Sequence, residues 1–286
     1  MIDLSARRRF FAEEVQMVAN IRSASVVEAL ASVPRERFLP PGPWTVRSEA
    51  DFGSPPRQTE DADLRHVYHN IAIGIEPARM LFNGAPSVVG MAIDALGVKA
   101  GARVMHIGAG TGYFTAILAH CTGAGGRVVA FEVDGGLASQ AATNLASMPW
   151  VEVRHGDGAG ALQETFDAIL VNAGVTHPLD TWLDGLADGG RMVIPLTAAM
   201  GPMTNIGKGL MLLLTRTADP QALDVRLLTF VAIFSAVGVR NDALNGELAS
   251  AMTKRPFGPI KRLRRDAHER SDTCWLHGSG ICFSAE

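Results

Sequence analysis

The sequence predicts an α/β fold in which a mainly parallel sheet is covered by helices on both faces. Three observations carry that prediction. From Ala102 onward, short apolar runs alternate with helical patterns at the spacing of successive β-α-β units. One run, Val104-Met105-His106-Ile107, leads into Gly108-Ala109-Gly110-Thr111-Gly112-Tyr113, a strand-to-helix glycine turn of the kind at which open α/β sheets bind ligands. The third is bulk: 286 residues, 47% apolar and 19% charged, can bury a large core and are too apolar for a disordered chain.

The elements follow in order. Phe10, Phe11, Val15, Val18, Ile21, Val26, Val27 and Leu30 recur at spacings near three and four, which predicts two short amphipathic helices ended by Val33-Pro34-Arg35-Glu36. Between Leu39 and Thr59, Pro40, Pro41, Pro43, Pro55 and Pro56 argue for a surface excursion. Ser87–Leu96 returns to helical periodicity. Strands are then expected at Ala102–Ile107, Arg127–Glu132, Trp150–Arg154, Phe166–Asn172 and Arg191–Pro195, with helices at Thr111–Cys121, Gly136–Ala146 and Leu179–Leu186. Met211–Thr215 and Val225–Phe234 lack a helix between them, so an antiparallel hairpin at the sheet edge is expected. The expected division is a helical and loop region at 1–80 packed on a core at 81–240, with a C-terminal extension at 241–286.

Charge and cysteine usage narrow the function. The formal net charge of −3 gives no field for a polyanion, so nucleic acid is not an expected partner. Lys261, Arg262, Arg264, Arg265 and Arg270, interleaved with Asp266 and Glu269, read as a solvated helix face. Three cysteines, at 121, 274 and 282, fit a reducing compartment. No apolar run reaches the roughly 18 residues of a spanning helix, and Glu13 and Glu14 interrupt any signal-like start, so a cytoplasmic protein is expected. Cys274, His277 and Cys282 supply three ligands rather than four, and residues three apart on a strand face opposite ways; no metal is expected.

The glycine turn carries the chemistry. A dinucleotide fingerprint would place a third glycine at 113, where Tyr113 stands, so the pattern suits a nucleoside cofactor without a pyrophosphate, such as S-adenosylmethionine. A purely structural glycine turn is the alternative. Glu132 ends the next strand 20 residues after Gly112, where a carboxylate can accept both ribose hydroxyls. Asp157, within Gly156-Asp157-Gly158 after the third strand, is placed for an adenine amino group. Asn172-Ala173-Gly174-Val175-Thr176-His177 follows the fourth strand at the rim; Asn172 is assigned to the cofactor side, and His177 is either a general base or a loop histidine.

These motifs resemble the class I S-adenosylmethionine-dependent methyltransferases, and within them the protein-L-isoaspartate O-methyltransferases. The resemblance covers roughly residues 20 to 200. It includes Ala29-Leu30-Ala31-Ser32-Val33-Pro34-Arg35-Glu36-Arg37-Phe38-Leu39-Pro40, Tyr68 and Asn70 in place of a Tyr-x-Asp, Gly156-Asp157-Gly158, Phe166-Asp167-Ala168-Ile169 and Gly189-Gly190-Arg191-Met192-Val193-Ile194-Pro195. It implies a Rossmann-like fold with a mainly parallel seven-stranded sheet, and S-adenosylmethionine held by His106, Gly108, Gly110, Gly112, Tyr113, Glu132, Asp157, Gly158 and Asn172. His106 replaces the family's acidic residue at the end of the first strand; as a neutral imidazole it can accept one hydrogen bond from the cofactor ammonium.

The family's Thr-Ile-Ser-Gln-Pro aligns with Phe82-Asn83-Gly84-Ala85-Pro86, so Gly84 stands where the resemblance implies an acceptor-binding serine. Asn83, Gly84 and His177 are the candidate catalytic positions. A carboxylate acceptor needs no base, whereas a phenol or amine does. The expectation is methyl transfer to a carboxylate or hydroxyl acceptor on a peptide or small molecule, with weak isoaspartyl methylation and a gain on Gly84→Ser. Two alternatives stand beside it: a cofactor-binding module acting as a partner or sensor, and a small-molecule O- or N-methyltransferase that uses His177.

Overall fold

In the computed structural model, residues 3–48, 54–160, 164–199, 205–255, 258–278 and 280–286 are described. The chain folds as two units, Met1–Gly156 and Asp157–Glu286. In the first, the Asp3 carboxylate accepts the amide N–H groups of Ser5 and Ala6 and starts α1 (Leu4–Ala19), which ends where Asn20 enters the left-handed region. Helix α2 (Ala24–Ser32) packs on α1 and buries Val26, Ala29 and Leu30 against a core that includes Phe11 and Val15.

The segment Leu39–Thr59 is more regular than its prolines predict. Trp44 and Val46 are buried, and a reciprocal pair between Trp44 and Thr59, with Trp44 N–H donating to Thr59 Oγ1 at 2.9 Å and Thr59 N–H to Trp44 O at 2.8 Å, closes a ladder. Strands β1 (Thr45–Arg47), β2 (Arg57–Gln58), β3 (Ala72–Glu76) and β4 (Leu81–Phe82) form a small antiparallel sheet in the order β2-β1-β3-β4; residues 49–53 lie outside the described ones. Helix α3 (Pro86–Leu96), with proline in its first turn and a left-handed Gly97 at its end, leads to the alternation expected from the sequence. That alternation comprises β5 (Arg103–Ile107), α4 (Tyr113–Thr122), β6 (Arg127–Glu132), α5 (Gly135–Leu145) and β7 (Val151–His155). The three strands are parallel, with Met105 opposite Val129 and Val129 opposite Glu152.

The second unit contains β8 (Phe166–Val171), α6 (Asp180–Asp184), β9 (Leu186–Ala199), β10 (Ile206–Arg216), β11 (Ala222–Phe234), α7 (Asp242–Lys254), β12 (Arg262–Arg264), β13 (Cys274–Gly278) and β14 (Ile281–Ser284). Its strand order is β13-β14-β12-β11-β10-β9-β8. The α/β class is as the sequence predicts, but the strand complement differs. Among the described residues this unit holds seven strands, and of the pairings between those strands only β8 with β9 is parallel. The links from β9 to β10 and from β10 to β11 are too short for a crossover helix, so the chain returns antiparallel.

The basic C-terminal stretch is corrected too. Arg262–Arg264 is a strand rather than a helix face, and its neighbourhood is internally paired. Arg262 meets Asp224 at 2.5 Å, Arg264 meets Asp266 at 2.6 Å, Arg265 meets Asp184 at 2.8 Å and Arg270 meets Glu247 at 3.2 Å. Among the described residues, no helix is long and apolar enough to cross a membrane.

Candidate cofactor site

Strand β5 is buried from Val104 to Ile107 and delivers the chain to the glycine turn. There the N–H groups of Gly108 and Ala109 both donate to Phe131 O, at 2.9 and 3.0 Å, which folds the turn over the end of β6. Gly110 and Gly112 adopt φ values of 57° and 97°, where side chains are strained, and a Cβ on Gly112 would lie 2.9 Å from Leu145 Cδ1. The turn is pinned from outside: Thr111 Oγ1 donates to Phe38 O at 2.6 Å, and Asn144 Nδ2 donates to Thr111 O at 2.9 Å.

Glu132 closes this cradle. Its carboxylate, only 7% exposed, accepts the Gly110 N–H at 2.7 Å on one oxygen and the Asp134 N–H at 3.0 Å on the other. Each carboxylate oxygen has two lone pairs, so one on each remains for a ribose hydroxyl. Asp134 in turn caps α5 by accepting Gly136 N–H and Leu137 N–H, and pairs with Arg79 at 2.8 Å. That ion pair, followed by the two amide hydrogen bonds, holds the Asp134 carboxyl below the usual carboxylate range.

His106 and Tyr113 sit deeper than the sequence suggests. His106 is fully buried, its Nδ1 shares a 2.8 Å hydrogen bond with Thr115 Oγ1, and burial pushes its pKa down to about 3, so the ring is neutral. Its Nε2 is buried without a partner among the described residues, a polar atom that could still meet a ligand group. Tyr113 is buried, and its hydroxyl has no hydrogen-bond partner among the described residues. Its ring lies 5.7 Å from that of Phe38 and 5.0 Å from that of Phe114, with the Arg35 guanidinium 5.7 Å from its centroid.

Arg35 is the residue that sequence reasoning missed most. It is fully buried, and its two terminal nitrogens donate to the carbonyls of Val67, His69 and Ile71 and to Asn83 Oδ1, at 2.8 to 3.2 Å. Asn83 is thereby explained as a strut. Its amide oxygen also accepts Ile73 N–H at 3.0 Å, while its Nδ2 is buried without a partner among the described residues. Beside Arg35 in sequence, the Glu36 carboxylate accepts the Tyr68 hydroxyl. Asn70 accepts Ser87 N–H at 2.8 Å, capping α3 from a distance, and helps to line a cavity of about 310 Å³ with Arg57, His66 and His69. Gly84 adopts φ 80°, and a Cβ there would lie 3.1 Å from Val89 Cγ2. Serine is strained at that angle, so Gly84→Ser does not simply restore a hydroxyl, and the gain expected of it does not follow.

In the second unit, Asp157 is half-buried and its carboxylate accepts Ala159 N–H at 2.9 Å. Gly158 is left-handed, and its carbonyl accepts the buried Trp182 Nε1–H at 2.7 Å, which fixes the turn. Asn172 follows β8 and is half-buried. His177 shares a 2.9 Å hydrogen bond with Thr176 Oγ1, which also accepts Asn241 N–H at 3.0 Å; burial lowers the His177 pKa and favours the neutral ring.

Comparison with known proteins decides the family. The model of the protein-L-isoaspartate(D-aspartate) O-methyltransferase family matches residues 57–210, more than half the chain. The chain is 32% identical to the protein-L-isoaspartate O-methyltransferase of Methylorubrum populi over 82% of its own length and 97% of that relative. The chain belongs to the protein-L-isoaspartate O-methyltransferase family. A relative from Pyrobaculum neutrophilum is 32% identical over 66% of this chain and 83% of its own length. A solved protein-L-isoaspartate O-methyltransferase shares the fold with a TM-score of 0.64 at 20% identity, over 96% of this chain and 84% of that one. A Plasmodium falciparum structure described as a member of the same family, in complex with S-adenosyl-L-homocysteine, has a TM-score of 0.59 at 16% identity, over 80% of this chain and 97% of its own. This family member is therefore an S-adenosylmethionine-dependent methyltransferase. Its glycine turn, the lone pairs left on Glu132 and the unpartnered His106 Nε2 fit that cofactor.

Proposed function

We propose that this protein methylates the free carboxylate of isoaspartyl residues in peptides and proteins, with S-adenosylmethionine as donor. The observation that carries the reading is the cradle made by Gly110 and Glu132, joined at 2.7 Å within a chain whose relatives are isoaspartate methyltransferases. When bound, S-adenosylmethionine supplies a methyl group already activated by its sulfonium. The glycine turn and Glu132 would hold the nucleoside end. A carboxylate acceptor is ionised at neutral pH and needs no proton removed. The neutral His177 is then free of any duty as a base, and its hydrogen bond to Thr176 serves to order the loop after β8.

Gly84 sets the expected rate. With no hydroxyl at that position, one hydrogen bond to the acceptor carboxylate is lost, worth ~1.5–3 kcal/mol or about one to two orders of magnitude in turnover. The test is transfer of labelled methyl to paired peptides that differ only in an isoaspartyl or an aspartyl residue, with free small acids in parallel. Transfer confined to the isoaspartyl peptide, slower than about 1 per second, is the expected result. Equal labelling of both peptides, or labelling of the small acids alone, would contradict the reading.

A further inference from the structure

We propose that His268, Cys274, His277 and Cys282 form a structural zinc site that staples the C-terminal hairpin of the second unit. The sequence argued against a metal here because Cys274, His277 and Cys282 are three ligands, and because residues three apart on a strand face opposite ways. The fold removes both objections. Pairing of β13 with β14 sets His277 opposite Cys282, and the register slips between Cys274 and Leu276. That one-residue bulge brings Cys274 back to the face of His277. His268, six residues before Cys274 in the loop after β12, supplies the fourth donor.

One ligand atom from each of the four lies within 4.8 Å of all the others. Zinc–sulfur bonds of about 2.3 Å and zinc–nitrogen bonds of about 2.0–2.1 Å make a tetrahedron with edges of about 3.3–3.8 Å, which small side-chain rotations would reach. The surroundings are those of a prepared site. His268 Nδ1 is tied to Asp266 O at 2.9 Å, which leaves Nε2 as the ligand atom, and that atom already lies 3.7 Å from Cys274 Sγ. Metal-binding histidines are commonly oriented in this way through the second ring nitrogen. Asp266 is itself fixed by two hydrogen bonds from Arg264, at 2.9 and 2.6 Å.

Two further features point to an ion. The Ser271 N–H is directed at Cys274 Sγ at 3.3 Å, as a donor to a thiolate would be. His277 Nδ1 is buried with no hydrogen-bond partner among the described residues, a cost that an organised metal site explains. Both cysteines are buried and neither is in a disulfide. Two thiolates and two imidazoles with every position filled by protein suit zinc in a closed, non-catalytic site. Binding would release the two thiol protons and join the loop after β12 to the last two strands of the chain.

The test uses the full-length protein, purified in reductant without chelator, incubated with zinc and desalted. Elemental analysis is expected to give about one zinc per chain, and cobalt(II) in its place is expected to give intense tetrahedral d–d bands with a thiolate-to-cobalt charge-transfer band. Cys282→Ser and His268→Ala should each lower the bound zinc at least tenfold. Chelation should lower the melting temperature of the natural protein, and zinc should restore it. The natural protein carries the decisive reading, so a variant that fails to fold does not blunt the test. Wild-type protein that retains no zinc, a pale octahedral cobalt spectrum, or a Cys274–Cys282 disulfide that persists in reductant would overturn the proposal.

Discussion

His106 illustrates how one residue can be legible in position and misread in setting. The sequence places it correctly at the end of the strand before the glycine turn, and the structure shows it wholly buried against Thr115. Its pKa falls from 6.5 to about 3 because burial penalises the charged ring. Between those values the unfolded chain binds a proton that the folded protein refuses, so the contribution of this group to stability is lost as pH falls below 6.5. The slope is up to about 1.4 kcal/mol per pH unit. Chemical denaturation at pH 6.5 and pH 5.5 should therefore show a smaller loss of stability for His106→Gln than for the natural protein. Parallel losses in the two would contradict the buried, neutral assignment. The glycine turn and Glu132 were legible because their signal is local and their spacing is fixed by one β-α-β unit. Arg35 was not, since its partners are the carbonyls of Val67, His69 and Ile71 and the side chain of Asn83, and nothing in a linear pattern marks a carbonyl as a destination.

At the scale of elements, helix α5 ties the cofactor cradle to the rest of the first unit. Asp134 caps it, pairs with Arg79, and gives its own N–H to Glu132. The cap and the ion pair can be separated by mutation. Asp134→Ala should cost ~1 kcal/mol through loss of the cap, whereas Arg79→Gln should cost no more than about 0.5 kcal/mol because the pair is solvent-screened. Thermal or urea denaturation of the two variants checks the order, and a larger loss for Arg79→Gln would reverse the argument. Asp134 is held below its usual range chiefly by Arg79, so its stabilisation is present at neutral pH and is lost as pH falls through that lowered value. The C-terminal elements were the least legible. A strand with a bulge at Trp275 does not show its faces through alternation, so neither the side shared by Cys274 and His277 nor the role of His268 could be read from spacing.

Across each whole unit, the alternation of strands and helices was readable, but the antiparallel half was understated. Strands β9, β10 and β11 run 14, 11 and 13 residues, past the apolar runs that announce them, and the added ends of β9 and β10 include Gly189, Gly190, Gly207, Lys208 and Gly209, which carry no hydrophobic signal. In the first unit, Arg35 joins the segment after α2 to residues 67–71 and to Asn83. Arg35→Met would leave the buried Val67 carbonyl and the part-buried carbonyls of His69 and Ile71 without this donor, a loss of ~1–3 kcal/mol for each group left buried and unsatisfied. The melting temperature should drop sharply, and a variant as stable as the natural protein would show that the cluster is dispensable.

The glycine turn and Glu132 are proposed to hold S-adenosylmethionine together. The most direct measurement is calorimetric titration of the natural protein and of Glu132→Ala with S-adenosylmethionine, each shown to be folded by circular dichroism. Loss of a charged acceptor should weaken binding by ~1.5–3 kcal/mol, about ten- to hundredfold. Unchanged affinity in a folded Glu132→Ala variant would place the cofactor elsewhere and contradict the account.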